Sequence, residues 1–209
     1  MTEIATPTEP NILRAVALMR QGRPVAFPTE TVYGLGAPAE AQHTVDRVFE
    51  LKGRPRDKPL IVHVNDADQA RRLVDPWTEG AEILAQAFWP GPLTLILPSN
   101  GRVAPAVTAG GSTLAVRAPS HSVARALIAS LGEGIAAPSA NLSGEPPPTT
   151  APEVAKQLGE QLAMVLDGGA TTVAVPSTIV DLTDEAGARI LRLGAVTRAQ
   201  LSTHIRLID

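Results

Sequence analysis

Lys52-Gly-Arg-Pro-Arg-Asp-Lys-Pro-Leu-Ile-Val-His-Val64 joins the end of a helix to a basic turn and a buried strand. The helix before it is expected over about Ala41 to Leu51, with Val45, Val48 and Phe49 on its apolar face. Pro55 and Pro59 push Arg54 and Lys58 away from helical angles. Leu60 to Val64 then reads as a strand, in which His63 faces oppositely to Val62 and Val64. Basic residues fall at 52, 54, 56 and 58. In an extended chain such alternation puts charges on one side, about 6–7 Å apart, near the size of a triphosphate. The competing reading is a solvated charge run.

Outward from this stretch, helix and strand signals alternate. Asn11 can cap a helix carrying Ile12, Leu13, Val16 and Met19, which Gly22 ends. Val25–Phe27 is a short buried strand stopped by Pro28. Asp66 caps a short helix, and another runs from about Thr78 to Trp89. Strands follow at Leu93–Leu97 and Thr113–Arg117, then a helix capped by Ser120 and a strand at Ile135–Pro138. Residues 145–152 hold four prolines and read as a rigid loop. A short helix at 153–158, strands at 163–166, 177–182 and 188–193, and a terminal helix from Thr197 complete the pattern. The expectation is an α/β fold. It is one domain over 11–200, with a twisted mixed parallel and antiparallel sheet and helices on both faces. Residues 1–10 are read as a flexible N-terminus and 201–209 as a C-terminal end.

Composition removes several classes of function. The 209 residues include 44% apolar and 19% charged, a globular balance. Net charge is −3 and aromatics number six, so strong nucleic-acid binding is not expected. Cysteine is absent, which excludes disulfides, thiolate metal sites and Cys nucleophiles and fits a reducing, cytoplasmic setting. Met1 to Asn11 has no apolar core, so no secretory leader is expected. No apolar run approaches the length of a membrane span.

Five further segments carry polar groups at strand ends. Pro28-Thr-Glu-Thr-Val-Tyr-Gly-Leu-Gly-Ala-Pro-Ala39 contains Gly34-x-Gly36-x-x-Ala39, formally a dinucleotide fingerprint. That reading fails, because Pro28 to Tyr33 separate the strand from the glycines and Pro38 sits inside the motif. What remains is a pair of hydroxyls, Thr29 and Thr31, on one face and Glu30 on the other. In Gly111–Pro119, Thr113, Ala115 and Arg117 share a face, and Leu114 and Val116 the buried one. An arginine there suits a carboxylate or phosphate, or else a surface ion pair. Ala136-Ala-Pro-Ser139-Ala-Asn141 opens a buried strand into two polar side chains. Ser177 begins a strand after Pro176, and Arg192 stands between leucines. No phosphate loop, nucleophile elbow, carboxylate dyad or metal-spaced histidine set appears. The inventory suits positioning of anionic reactants rather than covalent catalysis.

These segments, in this order, resemble the YrdC-like family of threonylcarbamoyl-AMP synthases. The resemblance runs from about residue 10 to 200 and includes Trp89-Pro-Gly-Pro-Leu-Thr and Pro176-Ser-Thr-Ile-Val. The family's Lys-x-Arg…Ser-x-Asn signature is met at Lys52, Arg54, Ser139 and Asn141. The chain stops soon after Leu-Gly-Ala-Val-Thr197, so it resembles the short, single-domain form. The resemblance implies a twisted sheet around a large concave cleft. It implies a nucleotidyltransferase making threonylcarbamoyl adenylate and pyrophosphate from L-threonine, bicarbonate and ATP with Mg2+. The product would feed the tRNA threonylcarbamoyl transferase machinery, with at most weak RNA contact by this chain and no membrane.

Carried over by residue, Thr31, His63, Arg117, Ala137 and Ser177 match threonine positions. Lys52, Arg54, Lys58, Thr113, Ser139, Asn141, Pro147 and Arg192 match positions around ATP. Arg54 and Lys58 are the expected catalytic cations, and no side chain is an obvious magnesium ligand. Two other readings compete: a noncatalytic RNA-binding module using the 52–58 comb, and a carbamoyl-handling domain of hydrogenase-maturation proteins. The latter usually brings zinc-finger cysteines, missing here.

Overall fold

A computed structural model describes residues 2–208. Its eleven strands form one sheet. In chain order these are β1 (Glu3–Ala5), β2 (Val25–Phe27), β3 (Gly34–Pro38), β4 (Ile61–His63), β5 (Leu93–Pro98), β6 (Thr113–Arg117), β7 (Ile135–Ala136), β8 (Met164–Leu166), β9 (Thr178–Asp181), β10 (Ala188–Arg192) and β11 (Leu207–Ile208). Their spatial order is β1-β8-β2-β3-β7-β4-β6-β5-β9-β10-β11. Pairing is mixed: β4–β6 and β5–β9 are parallel, whereas β2–β3, β4–β7 and β5–β6 are antiparallel. The helices are α1 (Glu9–Arg20), α2 (Gln42–Lys52), α3 (Ala67–Arg71), α4 (Glu79–Phe88), α5 (Ser122–Leu131), α6 (Ala151–Leu158) and α7 (Arg198–Ser202). None is long and apolar enough to cross a membrane among the described residues.

Two cores flank the sheet, and strand alternation assigns residues to each. Val25 and Phe27 of β2 join Met164 and Leu166 of β8 under α1 and α5. The intervening Ala26 and Val165 join the larger core with α2, α4 and α6. Helices therefore lie on both faces, but unevenly. On the α1–α5 side they cover β2, β7 and β8, while β4, β6, β5, β9 and β10 present a bare face. Ile61, His63, Ala115, Arg117, Ile96 and Ile179 stand on that bare face. The opposite face of those strands buries Val62, Leu114, Val116, Leu95 and Val180 in the larger core.

Several boundaries differ from expectation for local reasons. Within the segment read as an N-terminal tail, Glu3–Ala5 form a strand: β1 pairs in parallel with β8, and Asp167 N donates to Ala5 O at 2.9 Å. An unpaired edge beside β8 would leave its backbone groups without partners, and three residues suffice to cover it. Gly34–Pro38 is a strand that the sequence pattern did not mark. Gly36 lets it approach closely, since a Cβ there would lie 2.7 Å from both Ile135 and Phe27. Pro152 does not end in the loop but sits in the first turn of α6, where a missing N–H costs nothing, after the Thr150 cap. His121, not Ser120, caps α5, its Nδ1 accepting from Val123 N.

Candidate functional site

The bare sheet face is the floor of a cleft of about 290 Å³. Its walls come from the turn after β2, the 54–60 segment after α2, the 137–139 segment after β7, Pro147, and the start of β9 with Arg192. Every residue expected around an amino acid stands on this surface: Thr31, His63, Arg117, Ala137 and Ser177. Of those expected around a nucleotide, Arg54, Ser139, Pro147 and Arg192 stand there too.

The other four expected residues lie elsewhere. Lys52 is 2% exposed and does not reach the wall. Its long stem runs inward, and Nζ donates to Ser139 O at 2.5 Å, to Asn141 O, and to Asn141 Oδ1 at 3.4 Å. Asn141 is buried beside it, accepting from Ser139 Oγ and donating to Glu145 O at 2.7 Å. Both residues shape the loop that presents Ser139. Thr113 shares the floor's face but is exposed at the open end of β6, beyond Ala115. Lys58 is exposed beside the cleft, and its carbonyl accepts from Arg54 Nε at 3.3 Å.

The basic comb is thus dispersed. Gly53 adopts φ +58°, which ends α2 and breaks the extended alternation. Arg54 turns to the cleft, also holding Pro59 O at 2.9 Å through Nη2. Arg56 pairs with Asp46 and lies over the Phe49 ring at 5.0 Å. These residues form no single basic footprint for RNA.

Arg117 is the centre of a buried network. It is 3% exposed and pairs through Nη2 with Glu30 Oε1 at 2.6 Å. Its Nη1 donates to Thr31 Oγ1 at 2.9 Å, and Nε to Gly91 O at 3.1 Å. Thr29 Oγ1 supports the turn by donating to Val32 O at 2.6 Å and accepting from Val32 N at 3.2 Å. The ion pair lies inside the protein rather than at the domain surface. Glu30 was not among the expected site residues. Its sequence signal was only a carboxylate opposite two threonines.

His63 is buried on the wall with its ring edge-on to Phe27 at 5.9 Å. Burial first, and the charge of Arg117 second, lower its pKa to about 3, so the imidazole is neutral. Its Nδ1 finds no hydrogen-bond partner among the described residues. Tyr33 was also missed as part of the wall; its hydroxyl donates to Gly169 O at 2.7 Å, and burial raises its pKa to about 12.

Arg192 reaches the cleft through a β-bulge. Ile190 pairs with Val180 but Arg192 pairs with Ile179, so Leu191 is the extra residue. Val180 faces the core and Ile179 the cleft, so the bulge moves Arg192 to the cleft side. There Arg192 Nη2 donates to Ser177 O at 2.8 Å and to Ser177 Oγ at 3.2 Å. Ser177 Oγ also lies 2.8 Å from Thr94 Oγ1. Gly194 permits this approach, because a Cβ would stand 2.1 Å from Pro176 O.

The resulting wall carries Arg54, Arg117 and Arg192 and no carboxylate among the described residues. Glu30 offsets Arg117 from behind, which leaves Arg54 and Arg192 for a multiply charged anion. No group of three or more His, Asp or Glu that could hold a metal occurs among the described residues. The lining offers no acidic side chain to a divalent cation.

A family profile described as "Telomere recombination", built on Sua5, YciO and YrdC, matches residues 17–194. The chain is 47% identical over 206 residues to a threonylcarbamoyl-AMP synthase of Bacillus subtilis, covering 98% of this chain and 59% of the relative. It is 49% identical over 170 residues to that of Pyrococcus abyssi, covering 81% of this chain and 50% of the relative. The chain thus matches between half and three-fifths of the length of these two proteins. Pyrococcus abyssi Sua5 complexed with L-threonine superposes with a TM-score of 0.92 at 43% identity, over 100% of this chain and 62% of that one. Escherichia coli YciO shares the fold, with a TM-score of 0.84 at 24% identity over 96% of this chain and 100% of that one.

Proposed function

The chain belongs to the Sua5, YciO and YrdC family, and from that premise we propose that its cleft makes threonylcarbamoyl adenylate. The substrates are L-threonine, bicarbonate and ATP, and the second product is pyrophosphate. One observation carries the reading. Hydroxyls, a neutral imidazole and a buried arginine share a single cleft with two further arginines, and no carboxylate lines it.

In this reading Arg117 receives the threonine carboxylate, with Thr31 holding the guanidinium in place. His63 and Ser177 offer polar partners to the threonine hydroxyl. The amine and bicarbonate condense to a carbamate, releasing water and a proton. A carbamate oxygen then bonds to the α-phosphorus as the bond to pyrophosphate breaks. Charge grows on phosphate oxygens in that step, where fixed cations act most strongly. Arg54 faces those oxygens, Ser139 and Arg192 flank the nucleotide, and exposed Lys58 reaches in from the rim. Mg2+ arrives on the phosphates of ATP as part of that substrate, and no step is assigned to a metal held by the protein. Holding the reactants side by side supplies much of the rate, so no covalent enzyme intermediate is needed.

The product serves tRNA threonylcarbamoylation by a separate transferase, and the cytoplasm, where ATP and tRNA meet, is the matching compartment. Pyrophosphate release with ATP, bicarbonate and each amino acid in turn tests the assignment. Threonine supports release, and serine, which lacks the methyl group, supports it about tenfold or more less efficiently. Release that is indifferent to the amino acid contradicts the proposal.

A further inference from the structure

We propose that Glu30 is a positioning residue for the amino-acid part of the cleft, acting through Arg117. The inference rests on the functional reading above and extends it to a residue that does not touch substrate. Glu30 is 5% exposed and is absent from the cleft wall, whereas its neighbours Thr29 and Thr31 are on it. Every group it offers points into the protein. Oε1 lies 2.6 Å from Arg117 Nη2 as a charge contact without hydrogen-bond alignment, Oε2 accepts from Ser120 N at 3.2 Å, and its carbonyl accepts from Val173 N at 2.8 Å. One residue thus ties the turn after β2 to the entry of α5 and to the segment that precedes β9.

The consequence falls on Arg117. A guanidinium has five N–H donors in a rigid plane. Glu30, Thr31 and Gly91 engage all three of its nitrogens, one on each. Those three anchors fix the plane, and a side chain only 3% exposed then offers the cleft a single narrow edge. Recognition of a carboxylate by such an edge depends on its angle. Glu30 is the only charged member of the three anchors, so it exerts the strongest pull on the guanidinium, whose two hydrogen bonds to Thr31 and Gly91 then set its tilt. It also supplies the counter-charge that lets Arg117 stay buried while His63 on the same wall remains neutral.

The test uses Glu30→Gln, Arg117→Gln and the double variant. The double variant removes both buried charges together, so neither is left uncompensated, which guards against loss of folding. Calorimetry reads equilibrium threonine binding, and steady-state pyrophosphate release reads the KM for ATP. Glu30→Gln weakens threonine binding by about tenfold or more and moves the KM for ATP by less than about twofold. In the Arg117→Gln background the same change adds less than about twofold, since its effect passes through the arginine. A general packing role would instead weaken both substrates together. Equal losses for threonine and ATP, or losses that add across the two backgrounds, overturn the proposal. If the unaltered chain binds threonine and Glu30→Gln binds it equally well, the role of Glu30 alone falls. If the unaltered chain binds no threonine, the functional reading falls and takes this role with it.

Discussion

Arg54→Ala lowers threonine-dependent pyrophosphate release by about a hundredfold or more, the usual loss when one donor to a charged transition state is removed. Arg54 is half-buried on the wall, and its guanidinium is held by Lys58 O and Pro59 O rather than by a carboxylate. Asp57 acts on it by charge alone, without a hydrogen bond, so the guanidinium donors remain for phosphate oxygens. The structural cost is small by comparison. Two hydrogen bonds to loop carbonyls are lost, each worth about 1 kcal/mol. Steady-state kinetics and thermal unfolding on the same samples separate the two effects. Lys58→Ala has a smaller effect, seen mainly as a raised KM for ATP, because that side chain is exposed beside the cleft. Unchanged release in Arg54→Ala contradicts the assignment of the nucleotide to this wall.

Lys52→Met destabilises the fold, and does so more at high pH. The substitution keeps the apolar stem but strips a donor from Ser139 O, Asn141 O and Asn141 Oδ1. Burial, and then repulsion from Arg54, lower the Lys52 pKa from 10.5 to about 7. Between those values the unfolded chain holds the proton and the folded chain has released it. Wild-type stability therefore rises with pH across this window, and the methionine variant lacks that slope. The loss is about 1 kcal/mol at pH 7 and about 3 kcal/mol at pH 9. Denaturant unfolding of both proteins at the two pH values reads it directly. A difference independent of pH would mean that the three oxygens keep the ammonium charged throughout. Because Lys52 holds the loop bearing Ser139, ATP binding weakens in the same variant.

Local patterns made much of the molecule legible. Alternation in Thr113–Arg117 placed Leu114 and Val116 in the core and Arg117 on the cleft, where the structure has them. Apolar periodicity found α2, α4 and α5 to within a residue or so of their expected bounds, whereas α1 starts at Glu9 after Thr8, three residues before an Asn11 cap would allow. What escaped depends on partners far apart in sequence. Glu30 and Arg117 stand 87 positions from one another, so nothing local marks them as a pair. The burial of Lys52 behind the wall escaped because residue type does not tell where a long stem ends. The strand at Gly34–Pro38 escaped because its glycine is required by Phe27 and Ile135 pressing on it, not by a turn. The bulge at Leu191 leaves no signature in hydropathy, yet it decides which way Arg192 faces.

A crystal structure with L-threonine and a non-hydrolysable ATP analogue bound together is the most direct trial of the single-cleft account. Both ligands are expected on the bare sheet face, the amino acid's carboxylate on Arg117 and the analogue's phosphates on Arg54. Ligands lodged in separate places, or Arg54 swung out to bulk solvent with the nucleotide bound, contradict this arrangement.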